Sequence, residues 1–170
     1  MLKQILVGHA RNAIPQYRQF ELEARKDGAR FIEAEHMLLA LAATSGTEAG
    51  RVLIDAGLDH ERLAAALRDE QRQSLAFAGV EPPIGGLPEA TLLDRPITFG
   101  TSAKAALGRA LHACHAQRSH RARLQSIHLL IGILLAELGT VPRALAIAGV
   151  DRAALISRAR AEVGVTAPPC

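Results

Sequence analysis

An internal repeat constrains the fold of this chain more than any other feature of its sequence. When the 170 residues are aligned with themselves at a shift of 92, residues 31–70 match residues 123–162 without a gap, and ten of the forty pairs are identical. The first-copy members of these pairs are His36, Leu38, Arg51, Leu53, Ala56, Gly57, Asp59, Leu63, Arg68 and Glu70. Self-similarity at a fixed period predicts one supersecondary unit that is used twice.

Each copy carries start and stop signals for four helices. Asn12, Asp59 and Asp151 are candidate N-caps, and Gly57 and Gly149 are expected to end equivalent helices. In the second copy, Thr101 or Ser102 and then Ser126 are the other expected caps, and Pro142 falls in a first turn. The predicted helices span about residues 12–28, 33–44, 47–56 and 59–72, and then 101–117, 126–138, 140–149 and 151–163.

The composition agrees with an all-α fold. Apolar residues make up 49% of the chain, but aromatic residues only 3%, so alanine and leucine must fill the core, as they do between closely packed helices. A segment rich in proline and glycine separates the copies. We therefore expect one domain over residues 1–163, with repeat one at 9–73, a linker at 74–98, repeat two at 99–163 and a disordered tail at 164–170.

Charge, cysteine content and hydropathy narrow the class of protein. The net charge of +3 is too small to argue for nucleic acid. Cys114 and Cys170 are far apart, which speaks against a disulfide framework, and the first eight residues do not resemble a secretory signal. The longest apolar run, residues 127–136, is much shorter than a membrane span. The sequence thus predicts a cytoplasmic protein without membrane or nucleic-acid partners.

The two copies have a recognisable form. The first reads ARKDGARFIEAEHMLLAL over residues 24–41 and GLD over 57–59; the second reads FGTSAK over 99–104, LQSIHLLIGIL over 124–134 and GVD over 149–151. These segments resemble the amino-terminal domain of Clp unfoldases, which has the patterns ARxxGxxYIxTEHLLLxL, FTPRAK and GVD. The resemblance covers residues 9–163 and implies a pseudo-two-fold pair of four-helix repeats.

The resemblance also implies a function. It points to a non-catalytic module that binds proteins or peptides, with Clp unfoldase and protease components, adaptors or substrate proteins as partners and no cofactor. The sequence has no GxxxxGK[ST] phosphate loop, so no ATPase motor is expected within it. The chain is then a fragment or a stand-alone relative, and acts as a receptor, a decoy or a regulator.

The resemblance places ligand-binding residues in two regions. The Thr-Glu pair of a phosphoarginine pocket corresponds to Ala34-Glu35 in the first copy and Ser126-Ile127 in the second, so one site, at Glu35, is expected. A solvated Glu35 is the alternative. An apolar groove for peptides or cyclic peptide antibiotics would be lined by Leu6, Tyr17, Phe99, Lys104 and Leu107. In the alternative reading, Phe99 anchors the linker and Lys104 is solvated.

The histidines and Cys114 support two further interpretations, one structural and one functional. His36 and His128 occupy equivalent positions in apolar helices, and we expect neutral core imidazoles that form hydrogen bonds across the helix packing. His112, Cys114, His115 and His120 form a cluster that keeps a small-molecule or metal-binding stress protein as the alternative function. The sequence predicts no metal there, because no acidic residue lies nearby. The basic residues between 118 and 123 are expected to form a solvated loop.

Overall fold

Eight α-helices and two short strands make up the described part of this computed structural model, which comprises residues 14–80, 97–116 and 123–163. The helices are α1 (Tyr17–Lys26), α2 (Ala34–Ala43), α3 (Glu48–Asp55), α4 (His60–Phe77), α5 (Thr101–Ala116), α6 (Ser126–Leu134), α7 (Thr140–Ile147) and α8 (Arg152–Val163). The strands are β1 (Phe31–Ile32) and β2 (Thr98–Phe99). The all-α tandem repeat predicted from the sequence is confirmed.

The repeat is visible in the helix limits. Helix α7 begins and ends 92 residues after α3, and α6 and α8 begin 92 residues after α2 and α4. Asp59 and Asp151 accept hydrogen bonds from the backbone amides of the first turns of α4 and α8. Gly57 and Gly149 follow α3 and α7 with φ of 71° and 70°, a conformation that costs glycine least.

Several predicted boundaries are wrong. Helix α1 begins at Tyr17, after Gln16 with φ of 64°, whereas Asn12 lies outside the described residues. Helix α4 continues to Phe77, into the expected linker, because no glycine or proline occurs before Gly79. Helix α6 ends at Leu134 rather than Leu138, and its N-cap is Gln125 rather than Ser126.

The core forms around α2 and α6, which are buried on nearly all sides. Alanines Ala103, Ala106 and Ala110 are fully buried along α5, and this small-residue face lets α5 pack closely against α6. Alanine thus fills part of the core, as the shortage of aromatic residues predicted. Within the described residues no single helix is long and apolar enough to cross a membrane; α2 and α3 qualify only together, with an 88° bend between them.

The strands and several polar side chains join the two repeats. The sequence predicted no strand, but β1 pairs in parallel with β2, which precedes the second repeat. The Tyr17 hydroxyl donates a hydrogen bond to the Ile97 carbonyl at 2.8 Å. Arg62 donates to the carbonyls of Gly57 and Ala148 at 3.1 and 2.9 Å, so one guanidinium contacts the carboxyl ends of α3 and α7.

Candidate ligand-binding cavity of the first repeat

A solvent-accessible cavity of about 450 Å³ lies between α1, α2 and α4, and α7 of the second repeat contributes to it. Its lining residues are Glu23, Lys26, Asp27, Glu35, His36, Leu39, His60, Ala64, Leu67, Arg68, Glu70, Gln71 and Thr140. Leu39, Ala64 and Leu67 are half-buried and form an apolar part of the wall. The cavity therefore combines an apolar surface with four carboxylates.

Glu35 is the second residue of α2 and is half-buried in the cavity wall. Burial raises the pKa of its carboxyl group, and the nearby carboxylates of Glu33 and Asp27 act in the same direction. Its own backbone amide and His36 partly oppose that rise. Among the described residues, no other side chain forms an ion pair with Glu35. The cavity thus contains a half-buried acid that a cation would stabilise.

Glu23 differs from Glu35 because its charge is compensated. The side chain is only 5% exposed, but its two oxygens contact Lys26 Nζ at 2.9 Å and His60 Nε2 at 3.1 Å. Burial alone would raise the pKa of this carboxyl group, whereas the hydrogen bonds from Lys26 and His60 prevail and lower it. Glu23 is therefore an ionised residue that ties α1 to α4.

Glu70 fixes the opposite wall through a contact between the repeats. Its buried Oε1 accepts hydrogen bonds from Ser74 Oγ and from Arg143 Nε of α7, both at 2.7 Å. Because Arg143 belongs to the second repeat, the shape of the first-repeat cavity depends on how the two repeats pack. The sequence analysis did not predict Glu23, Asp27, His60 and Glu70 as cavity residues. Two signals were available: Glu23 falls on the buried face of α1, between Phe20 and Ala24, and Glu70 is identical in the two repeats.

His36 and His128 each cap the N-terminus of their own helix through ring nitrogen Nδ1. His36 Nδ1 accepts from the Glu33 amide at 2.9 Å, and His128 Nδ1 accepts from the Gln125 amide at 3.1 Å. The N-cap side chains Glu33 and Gln125 bond the amides of these histidines in return, which completes two capping boxes. His36 Nε2 also contacts Asp27 Oδ2 at 3.2 Å. The bond to Asp27, at the end of α1, is of the expected kind, whereas the sequence did not predict the capping role of the Nδ1 atoms.

The corresponding positions of the second repeat have a different chemistry. Ile127, 1% exposed, replaces Glu35, and Ile131 and Ile156 replace Leu39 and Ala64. Arg152 replaces His60 and donates to the carbonyls of Leu134 and Ala136, both at 2.8 Å. An isoleucine thus stands where the first repeat has the Glu35 carboxylate, and an arginine that bonds backbone carbonyls stands where it has the His60 imidazole.

The residues of the expected peptide groove differ in how exposed they are to solvent. Tyr17 is only 4% exposed, and its ring packs edge-on against Phe99 with the centroids 5.4 Å apart. Phe99 and Leu107 are half-buried, Lys104 is exposed, and Leu6 lies outside the described residues. Tyr17 therefore anchors β2 and offers little surface to a ligand, whereas Phe99 and Lys104 remain accessible.

The described histidine and cysteine side chains of α5 do not converge on one site. His112 and His115 are exposed, whereas Cys114 is buried against the core. In the described residues, no group of three histidine, cysteine or acidic side chains could hold a metal ion. His120, Arg118 and Arg121 lie outside those residues.

Two tandem four-helix repeats, with a cavity on the first copy, are typical of an all-α double-repeat domain. No family model and no curated protein matches the sequence. Among solved structures, the chain is similar to the N-terminal domain of the caseinolytic protease associated chaperone ClpD from Arabidopsis thaliana, with a TM-score of 0.61 and 14% identity. The alignment covers 91% of this chain and 96% of that one. The chain therefore has the fold of a Clp amino-terminal domain.

Proposed function

We propose that this chain is a non-catalytic module that binds proteins or peptides in the cytoplasmic Clp proteolysis system. Its partners would be Clp unfoldase or protease components, their adaptors or their substrates, for which it serves as a receptor, decoy or regulator. The observation that carries the proposal is the first-repeat cavity, whose wall contains Glu35 at the position where the family resemblance expects a ligand carboxylate.

The cavity suits a side chain that ends in a guanidinium group, phosphorylated or not. The aliphatic stem would lie along Leu39 and Leu67, and the planar head would pair with Glu35. A charge-assisted hydrogen bond of this kind contributes about 1.5–3 kcal/mol. Since Ile127 replaces Glu35 in the second repeat, we expect one such site per chain.

Isothermal titration with free phosphoarginine tests the proposal. We expect one site per chain and a loss of roughly tenfold or more in affinity in Glu35→Ala, because the variant lacks the carboxylate. Glu61→Ala is the matched control, since Glu61 is an exposed acid in the first turn of α4 outside the cavity. Two equal sites, or binding that is indifferent to Glu35→Ala, would contradict the proposal.

Phe99 and Lys104 form the second candidate surface, for an apolar peptide or a cyclic peptide antibiotic. Support comes from a partly accessible aromatic ring at the end of β2 and an exposed lysine in the first turn of α5. A Phe99→Ala variant that retains α-helical content but loses peptide binding is the expected result. Unchanged peptide binding by that variant would exclude this surface.

A further inference from the structure

The charges of the first-repeat cavity are unevenly compensated. Glu23 is paired with Lys26 and His60, and Glu70 is paired with Arg143. Asp27, at the cavity mouth, contacts only the imidazole of His36 among the side chains described, and Glu35 has no basic partner there. Asp27 and the remaining basic lining residue, Arg68, are both exposed. Among the described lining residues, Glu35 is thus a half-buried carboxylate that forms no ion pair.

The backbone amides beside Glu35 are already occupied. The Glu33 amide donates to His36 Nδ1, and the Ala34 amide donates to Ser102 Oγ, both at 2.9 Å. The His36 amide bonds the Glu33 side chain. A helix N-terminus holds a phosphate through free amides, and these three amides are not free. A phosphoryl group at this end of the cavity would therefore face the Glu35 carboxylate without these three donors.

We infer, on the basis of the proposed function, that the cavity takes the unmodified guanidinium group of an arginine side chain in preference to phosphoarginine. A phosphoryl group adds about two negative charges, which would face Asp27 and Glu35. A guanidinium group has five donors in a planar fork, so it can pair with Glu35 and keep donors for a second carboxylate such as Asp27. The ligand class is therefore a protein or peptide that presents an exposed, unphosphorylated arginine.

Titration by NMR with three small ligands tests whether the cavity prefers arginine to phosphoarginine. The ligands are Nα-acetylarginine amide, its phosphoarginine counterpart and its citrulline counterpart, which keeps the shape of arginine but is neutral. We expect arginine to bind roughly tenfold more tightly than phosphoarginine, because like charges in a partly buried site repel strongly. Citrulline should not bind measurably, and the amides of Glu35 and Leu39 should report the binding.

Two variants test the role of the carboxylates. Glu35→Gln, which keeps the side-chain shape, should abolish arginine binding, whereas the control Glu61→Gln should leave it unchanged. Asp27→Asn removes a negative charge at the cavity mouth. The ratio of the affinities for arginine and phosphoarginine should therefore be smaller in this variant. Asp55→Asn, an exposed acid at the end of α3, is its control.

Each result has a distinct meaning. Tighter binding of phosphoarginine, or equal binding of both, would overturn this inference while the proposed function stood. Arginine binding that survives Glu35→Gln would overturn the inference as well. If neither ligand bound, both the inference and the cavity as the ligand site of the proposed function would fall.

Discussion

Histidine at the third position of α2 and of α6 acts as a helix cap. His36 and His128 each accept a hydrogen bond from an N-cap amide while they are buried in the core. An apolar replacement would leave that partly buried amide without its acceptor, and an unmade hydrogen bond is costly where water has limited access. The conserved feature of the two repeats is therefore an acceptor atom at one position rather than a ligand site.

Substitution of either histidine tests this role. His36→Leu and His128→Leu should each lower the free energy of unfolding by about 1–3 kcal/mol, because a partly buried amide loses its acceptor. His128→Gln should cost less, since glutamine at this position can complete a capping box. Urea unfolding gives the values, with His112→Leu on the exposed face of α5 as the control. Leucine variants that are more stable than the natural chain would refute the capping role.

The same buried imidazole makes stability depend on pH. Burial lowers the pKa of His128, although Glu48 opposes the shift. Because the unfolded chain then binds a proton more readily than the folded one, stability should fall as the pH drops below the ordinary histidine value of about 6.5. Unfolding measured at pH 7.5 and 5.5 should show a smaller loss in His128→Gln than in the natural chain. Equal losses would assign the pH dependence to other groups.

At the scale of the elements, Glu33 joins two helix N-termini. Its side chain caps α2, and its Oε2 also accepts hydrogen bonds from the amide and hydroxyl of Ser102 in the first turn of α5, at 3.0 and 2.5 Å. Both helix ends carry partial positive charge, so one carboxylate stabilises both. Gly100 leaves room for this carboxylate, because a Cβ atom there would lie 1.7 Å from Glu33 Oε1.

A double-mutant cycle tests this junction. Glu33→Ala should cost about 2 kcal/mol, the upper end of the range for a lost cap, because two helices lose an acceptor. Gln125→Ala, which removes only the cap of α6, should cost about half as much. Gly100→Ala should destabilise the natural chain but be nearly neutral in the Glu33→Ala background, a coupling that urea unfolding can measure. Additive costs would show that the two residues do not share this contact.

At the scale of the whole molecule, the two repeats share one core and several polar contacts. Helices α2 and α6 pack together, β1 pairs with β2, and Arg143 of the second repeat bonds the buried Glu70 of the first. Neither central helix can be exposed without uncovering the other. The domain should therefore unfold as one cooperative unit.

Tyrosine fluorescence can report this cooperativity. Tyr17 is the only tyrosine, the chain has no tryptophan, and the Tyr17 side chain contacts Ile97 and Phe99 between the repeats. We expect its fluorescence and far-ultraviolet circular dichroism to give coincident urea transitions, because loss of the junction and loss of the helices are one event. An earlier fluorescence transition would mean that the repeats separate before they unfold.

Local signals allowed much of the helical plan to be read from the sequence. Helix caps and stops act on backbone groups within a few residues of themselves. The capping residues are Asp59 and Asp151, and the stop residues are Gly57 and Gly149. Helices α3 and α7 therefore fall within a residue or two of their predicted limits. The extension of α4 to Phe77 was not predicted, because the linker was expected to begin at residue 74, whereas residues 74–77 contain no glycine or proline and can continue the helix.

The ligand cavity could be predicted only at Glu35, the residue that belongs to a contiguous motif. Glu23, His60 and Glu70 come from helices that are distant in the sequence, and Arg143 is 73 residues from the carboxylate it holds. Their charge states follow from burial and from partners that only packing supplies. Local sequence patterns were sufficient to predict the repeat and most of the helices, and they showed that isoleucine replaces Glu35 in the second copy. Which carboxylates are paired with basic residues depends on packing, because electrostatic contacts depend on distance in space and not along the chain.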